Sequence, residues 1–131
     1  MKRRNALRTL LGGSALPALL SGEGNAGFRI EYVLSSALYG NLPLAEVLAE
    51  VSRAGASGID VWRKVHATHR EQISAMGDEA FQALLARHKT RLLVSTCYPL
   101  GPFGRDEEMA WVKKNGGRMT VCATRALGPK D

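Results

Sequence analysis

Apolar positions along this chain follow two rhythms. Short runs rich in aromatic and β-branched residues recur at Phe28–Leu34, Gly58–Trp62, Thr90–Cys97 and Met119–Ala123. Their length and make-up suit strands rather than helices. Between the first two, Leu44, Val47, Leu48 and Val51 fall at i, i+3, i+4 and i+7, one apolar stripe facing a sheet. Asn41 can cap that helix, Pro43 sits in its first turn, and Gly55 stops it. After the second run, Thr68 followed by Glu71 is a capping-box pattern, predicting a helix over His69–Met76. Gly77 breaks it. Asp78 caps a second piece whose apolar face is Phe81, Leu84 and Leu85. Residues 98–104 hold two prolines and two glycines, which predicts a shaped loop. Asp106–Lys114 is acidic at its start and basic at its end, as the helix dipole prefers, and Gly116-Gly117 stops it.

The resulting order is β-α-β-α-β-α-β, with a period of roughly 30 residues. Alternation of this kind predicts an α/β fold with parallel strands and right-handed crossovers. Two architectures fit: an open doubly wound sheet, or part of a (β/α)8 barrel. No Gly-x-Gly-x-x-Gly or Walker loop follows the first strand, which weighs against a nucleotide-binding sheet.

Composition adds a packed core, since 45% of the 131 residues are apolar. The net charge of +6 is unevenly placed: half of it falls in residues 1–26, and the mild excess left is spread over the remaining chain, so nucleic acid is not expected as a partner. Residues 1–26 read as an export signal: a basic Met1–Arg8, a weakly apolar Thr9–Leu20, and small residues at Gly24-Asn25-Ala26. Arg3-Arg4 with Leu7 resembles the twin-arginine signal of bacteria, although Ala6 stands where that signal prefers Phe. This predicts an exported, periplasmic protein. An amphipathic N-terminal helix is the other reading. The apolar stretch is too short and interrupted to span a membrane. Cys97 and Cys122 fall on neighbouring predicted strands, as two buried apolar side chains or as a disulfide pair.

Candidate chemistry gathers where the strands end. Asp60 is an acid inside an apolar strand and needs a partner, either at a site or in a salt bridge with a nearby Arg or Lys. Trp62, Tyr98 and Phe103 could stack on a ligand or simply pack. His66 is a candidate ligand contact. His66 and His69 are spaced H-x-x-H, poor metal geometry without a third ligand. Ser35, Ser36, Tyr39, Cys97, Thr124 and Arg125 complete the strand-end set. His88, at a helix end, reads as a solvated partner of the helix dipole. Glu31 and Asp60 lie on adjacent predicted strands with undetermined directions.

Several stretches together carry a resemblance: Leu42-Pro43-Leu44-Ala45-Glu46, Gly58-Ile59-Asp60-Val61-Trp62, Lys64-Val65-His66, Arg70-Glu71-Gln72 and Leu100-Gly101-Pro102-Phe103-Gly104. In this order they resemble the sugar phosphate isomerase/epimerase group of the xylose-isomerase-like TIM-barrel superfamily. The resemblance covers about residues 28–123. It implies that residues 27–131 are the amino-terminal part of a (β/α)8 barrel: three βα units and a fourth strand. It implies an isomerase or epimerase acting on a sugar or sugar phosphate, with Asp60, Trp62, His66, Tyr98 and Phe103 as substrate contacts. It also implies a divalent metal, whose usual ligands lie on later strands beyond Asp131, so no metal ligand or catalytic residue is carried over. The alternative is a non-catalytic exported half-barrel that binds a partner or self-associates through its open sheet edges. The related apurinic-endonuclease branch would need a basic DNA-facing surface and a His-rich metal site, and neither is present in the sequence.

Overall fold

The computed structural model describes residues 30–123. The twin-arginine stretch, Phe28, Arg29, Thr124 and Arg125 lie outside the described residues. The elements are β1 (Val33–Ser35), α1 (Leu44–Arg53), β2 (Gly58–Trp62), α2 (His69–Met76), α3 (Asp78–Arg87), β3 (Leu92–Thr96), α4 (Asp106–Lys114) and β4 (Met119–Val121). Two short 3-10 turns, Ser36–Tyr39 and Tyr98–Leu100, follow β1 and β3. Residues 98–104 therefore contain one turn of regular structure that their Pro and Gly content did not predict.

The fold is α/β, with one four-stranded, all-parallel sheet in the order β1-β2-β3-β4. Among the described strands the order never reverses, so the switch point of a doubly wound sheet is not seen. Crossovers of one hand in sequential order put the helices on one face, and the core agrees. Leu44, Val47, Leu48 and Val51 of α1, Ile73 of α2, and Phe81 and Leu85 of α3 form one cluster with Ile59, Val61 and Leu92 of the sheet. Each large apolar side chain buried there contributes about 1.5–3 kcal/mol. Strand alternation turns Asp60 and Trp62 to the other face, and a register shift against β3 at Ile59/Asp60 carries Thr96 there as well. Among the described residues, no helix is long and apolar enough to cross a membrane.

The three links that lead from a helix into a strand share one construction. Each is four residues long: 54–57, 88–91 and 115–118. In each, two amides turn back onto carbonyls of the last helical turn. Gly55 and Ala56 donate to Ser52 and Val51, Lys89 and Thr90 to Ala86 and Leu85, and Gly116 and Gly117 to Lys113 and Val112. This is the Schellman arrangement, which needs one left-handed residue. Gly55 (φ 67°) and Gly116 (φ 78°) supply it, but after α3 the position is Lys89, at φ 51°. Replacing Lys89 with Gly relieves the Cβ penalty there. We expect a gain of about 0.5–1 kcal/mol, read as a raised urea midpoint at unchanged slope.

Helix starts depart from expectation. Asn41 does not cap α1; Pro43 occupies the N-cap, and the first amide, Leu44 N–H, donates 2.8 Å to Gln72 Oε1 on α2. Thr68 makes no capping bond, and its Oγ1 instead accepts from Gln72 Nε2 at 3.2 Å. Asp78 is the first residue of α3 rather than its cap. Its carboxylate is drawn to α4, accepting from Trp111 Nε1 at 2.9 Å and pairing with Lys114 at 2.7 Å. A cap formed across two helices cannot be read from the spacing within one.

The amino ends of the strands are tied by charge. Glu31, just before β1, accepts from Arg91 before β3 and, at 3.3 Å, from Arg118 before β4. One carboxylate thus ties together the segments leading into the first, third and fourth strands. Glu31 therefore sits at the opposite end from the strand tips that follow Asp60. Close packing at this end also explains Gly58. A Cβ there would lie 2.5 Å from the Arg91 carbonyl oxygen and 2.7 Å from Leu93 Cγ.

Candidate functional site

The carboxyl ends of β2 and β3 hold an open cleft of about 420 Å³. Trp62, Lys64, His66, Thr96, Tyr98 and Ala123 contribute to its wall. Trp62 is the last residue of β2, and its backbone N–H donates 2.9 Å to the buried Ser36 Oγ. Residues 63–67 then turn back on themselves, with the His66 and Ala67 amides both donating to the Arg63 carbonyl. That turn brings His66 over Trp62. The ring centroids are 5.2 Å apart, edge to face. Tyr98 arrives from the end of β3, 5.0 Å from Trp62 and 5.9 Å from His66. Three of the candidate residues thus form one aromatic corner, assembled from two strands.

Asp60 lies directly behind this corner. Its Oδ2 accepts from Trp62 Nε1 at 2.6 Å, and its Oδ1 accepts from Thr96 Oγ1 at 2.8 Å. Among the described residues it has no ion pair, so the salt bridge that the sequence left open is not formed. Burial pushes its pKa up, and the hydrogen bonds from Thr96 and Trp62 oppose the shift without cancelling it. A carboxyl with a raised folded-state pKa favours folding at low pH and opposes it as pH climbs past the ordinary carboxylate range. Asp60 is therefore held at some cost, for what it does to Trp62 and to the cleft floor.

Phe103 does not join the group. It is 86% exposed and does not line the cleft. His66 and His69 face different surroundings. His69 is fully buried, and its Nε2–H donates 3.0 Å to the Leu42 carbonyl. Among the described residues, no three His, Cys, Asp or Glu side chains converge as a metal site. His88 is the C-cap residue of α3, half-buried, and its carbonyl accepts from Ser52 Oγ at 2.6 Å. Cys97 and Cys122 are both free thiols.

No protein-family model, curated protein or solved structure matches this chain.

Sequence reasoning missed the node that holds the cleft from beneath. Glu108 on α4 is buried and accepts from Ser95 Oγ at 2.6 Å, Arg63 Nη2 at 3.0 Å and Arg70 Nε at 3.2 Å. Arg70 in turn lies over the Trp111 ring, 3.6 Å from its centroid. Arg63 opens the turn that carries His66, so the carboxylate anchors the cleft loop to β3, α2 and α4 together. The signal was present in the periodicity: Glu108 falls at i with Trp111 and Val112 at i+3 and i+4, the side of α4 that carries its large apolar residues. An acid on an apolar stripe implies a buried cation.

His69 gives a pH test. Burial lowers its pKa, against smaller opposing effects from the Leu42 carbonyl and Glu71. The folded state then binds fewer protons than the unfolded chain, whose imidazole titrates near its ordinary value of 6.5. Stability is full above that pH and falls as pH drops through it. We expect a lower urea midpoint at pH 5.5 than at pH 7.5. His69→Gln, which keeps a donor for Leu42, should flatten that difference.

Proposed function

We propose that the chain is the amino-terminal part of a sugar or sugar phosphate isomerase/epimerase-like (β/α)8 barrel, and that the aromatic cleft is its share of the sugar site. The observation that carries this reading is the corner of Trp62, His66 and Tyr98 at the carboxyl ends of β2 and β3, with Asp60 hydrogen-bonded behind it. Barrel enzymes place their sites at that end of the strands. Sequential parallel strands with one helix layer support the same reading. Trp62 and Tyr98 would stack on the apolar face of a sugar ring. His66 and Lys64 would meet its oxygens or a phosphate. Asp60 holds the Trp62 indole in place. The described residues do not fit a divalent metal by themselves, because both Asp60 oxygens are engaged and no second acid stands beside it. In this reading the metal ligands come from later strands, and proton transfer is not assigned to any residue of this chain. Residues 1–26 would direct export to the periplasm.

The test is ligand-observed saturation-transfer NMR on the full chain with a panel of aldoses, ketoses and their phosphates. Binding of at least one member, weakened about tenfold by Trp62→Ala, is expected. A panel with no transfer at millimolar concentration defeats the reading. The nucleotide sequence after codon 131 tests the barrel itself. Further βα units with Glu, Asp and His at strand ends support it, and their absence from every frame removes it.

Among the described residues β1 and β4 are edge strands, which favours a second reading, a half-barrel that self-associates without catalysis. Apolar side chains near those edges, Val33 and Met119, are exposed. A monodisperse dimer in sedimentation velocity, without added metal, supports this reading, and a monomer counts against it.

A further inference from the structure

The last paired residues of β3 and β4 are Thr96 and Val121. The chain takes one more step on each side, to Cys97 and Cys122, and the Cys97 amide still donates 2.9 Å to the Val121 carbonyl. These two are the only cysteines in the sequence. Strand alternation turns both side chains to the same face of the sheet. Neighbouring strands stand about 4.8 Å apart, inside the Cα separation of about 4.4–6.8 Å that a disulfide spans. Inside a rigid ladder the Cβ atoms would be slightly too far apart. Here β4 ends at Val121, and among the described residues no backbone bond ties Cys122 or Ala123 to β3.

From this register we infer that Cys97 and Cys122 form a reversible disulfide that fastens the edge strand β4 to β3. The oxidant is a low-molecular-weight disulfide such as glutathione disulfide. Cys97 is 1% exposed and Cys122 is half-buried, so Cys122 reacts first. Its thiolate attacks the donor disulfide, forms a mixed disulfide and releases one glutathione thiolate. The Cys97 thiolate then attacks the Cys122 sulfur and releases the second. Two protein thiols are oxidised, one donor disulfide is reduced to two thiols, and the two protons pass to the leaving thiolates. The compartment proposed for the chain would favour the oxidised form. Tyr98 and Ala123, each the next residue along, both line the cleft. The bond would therefore fix the cleft wall as well as the sheet edge. It does not depend on which ligand the cleft takes.

The test equilibrates the purified full chain in glutathione buffers of graded ratio, followed by acid quench, alkylation and mass spectrometry. The expected product is a monomer lighter by two hydrogens, with tryptic peptides 92–105 and 119–125 linked. Its thermal midpoint should lie about 10 °C above that of the reduced chain. Cys122→Ser, checked for fold by circular dichroism, should take up neither an internal bond nor glutathione. Two thiols that persist at every ratio would overturn the inference. So would a stable glutathione adduct on Cys122 or a disulfide between two chains.

Discussion

Glu108→Ala should destabilise the domain by about 3–5 kcal/mol, the usual result of removing one member of a buried ion pair. The carboxylate has 2% side-chain exposure and serves Arg63, Arg70 and Ser95 at once. Without it, Arg70 stays buried as an uncompensated cation, pinned over Trp111. Arg63 suffers less, because a third of its side chain already reaches solvent. Total stabilities of single domains are about 5–15 kcal/mol, so much of the margin would go. Urea titration at constant slope measures the loss. Arg70→Met combined with Glu108→Leu should recover most of it, since an apolar pair of similar volume replaces the ions at little cost. Recovery would identify the single-variant loss as a stranded charge. Failure to recover would mean that the carboxylate's bonds to Ser95 and Arg63 carry the stability instead.

Phe81→Ala should cost a similar amount, about 3–5 kcal/mol, for a different reason. Phe81 is fully buried among α1, α2 and the sheet, and stacks on Trp111 with ring centroids 6.1 Å apart. Truncation leaves a cavity between helix layer and sheet that close-packed neighbours fill only in part. It also frees one face of Trp111, so indole emission should shift to the red in the folded state. Phe81→Leu, nearer in volume, should cost about 1 kcal/mol. A loss below that for the Ala variant would mean that the core around residue 81 collapses readily.

The contrast between these residues shows what the sequence made legible. Phe81 was readable because periodicity marks the buried side of a helix. The same logic placed Leu44, Val47, Leu48 and Val51 inward, while glycine breaks and the charge bias of 106–114 gave α2 and α4 their observed limits. Glu108 lay on the buried side of its helix too, but its cations come from the turn after β2 and from α2, and no local pattern names a distant partner. Capping failed in the same way: Gln72 closes α1 from another helix, so Asn41 was not needed there, and the Thr68 hydroxyl accepts from Gln72 instead of capping α2. At the cleft, Trp62, His66 and Tyr98 were legible because parallel strands bring their carboxyl ends together. Phe103 was not, since proline and glycine show that a loop is shaped but not which way its tip points. Asp60 was legible as an acid in need of partners. Those partners turned out to be the neutral donors of Trp62 and Thr96 rather than a charge.

The equal helix-to-strand links bear on how such a chain tolerates change. With four residues at each return, every strand re-enters with the same facing, and adding one residue there would swap inward for outward side chains. The strand-to-helix segments obey no such rule: residues 36–43, 63–68 and 97–105 differ in length. Novelty can therefore accumulate at the rim, where a ligand would be met, while the underside keeps time for the whole sheet.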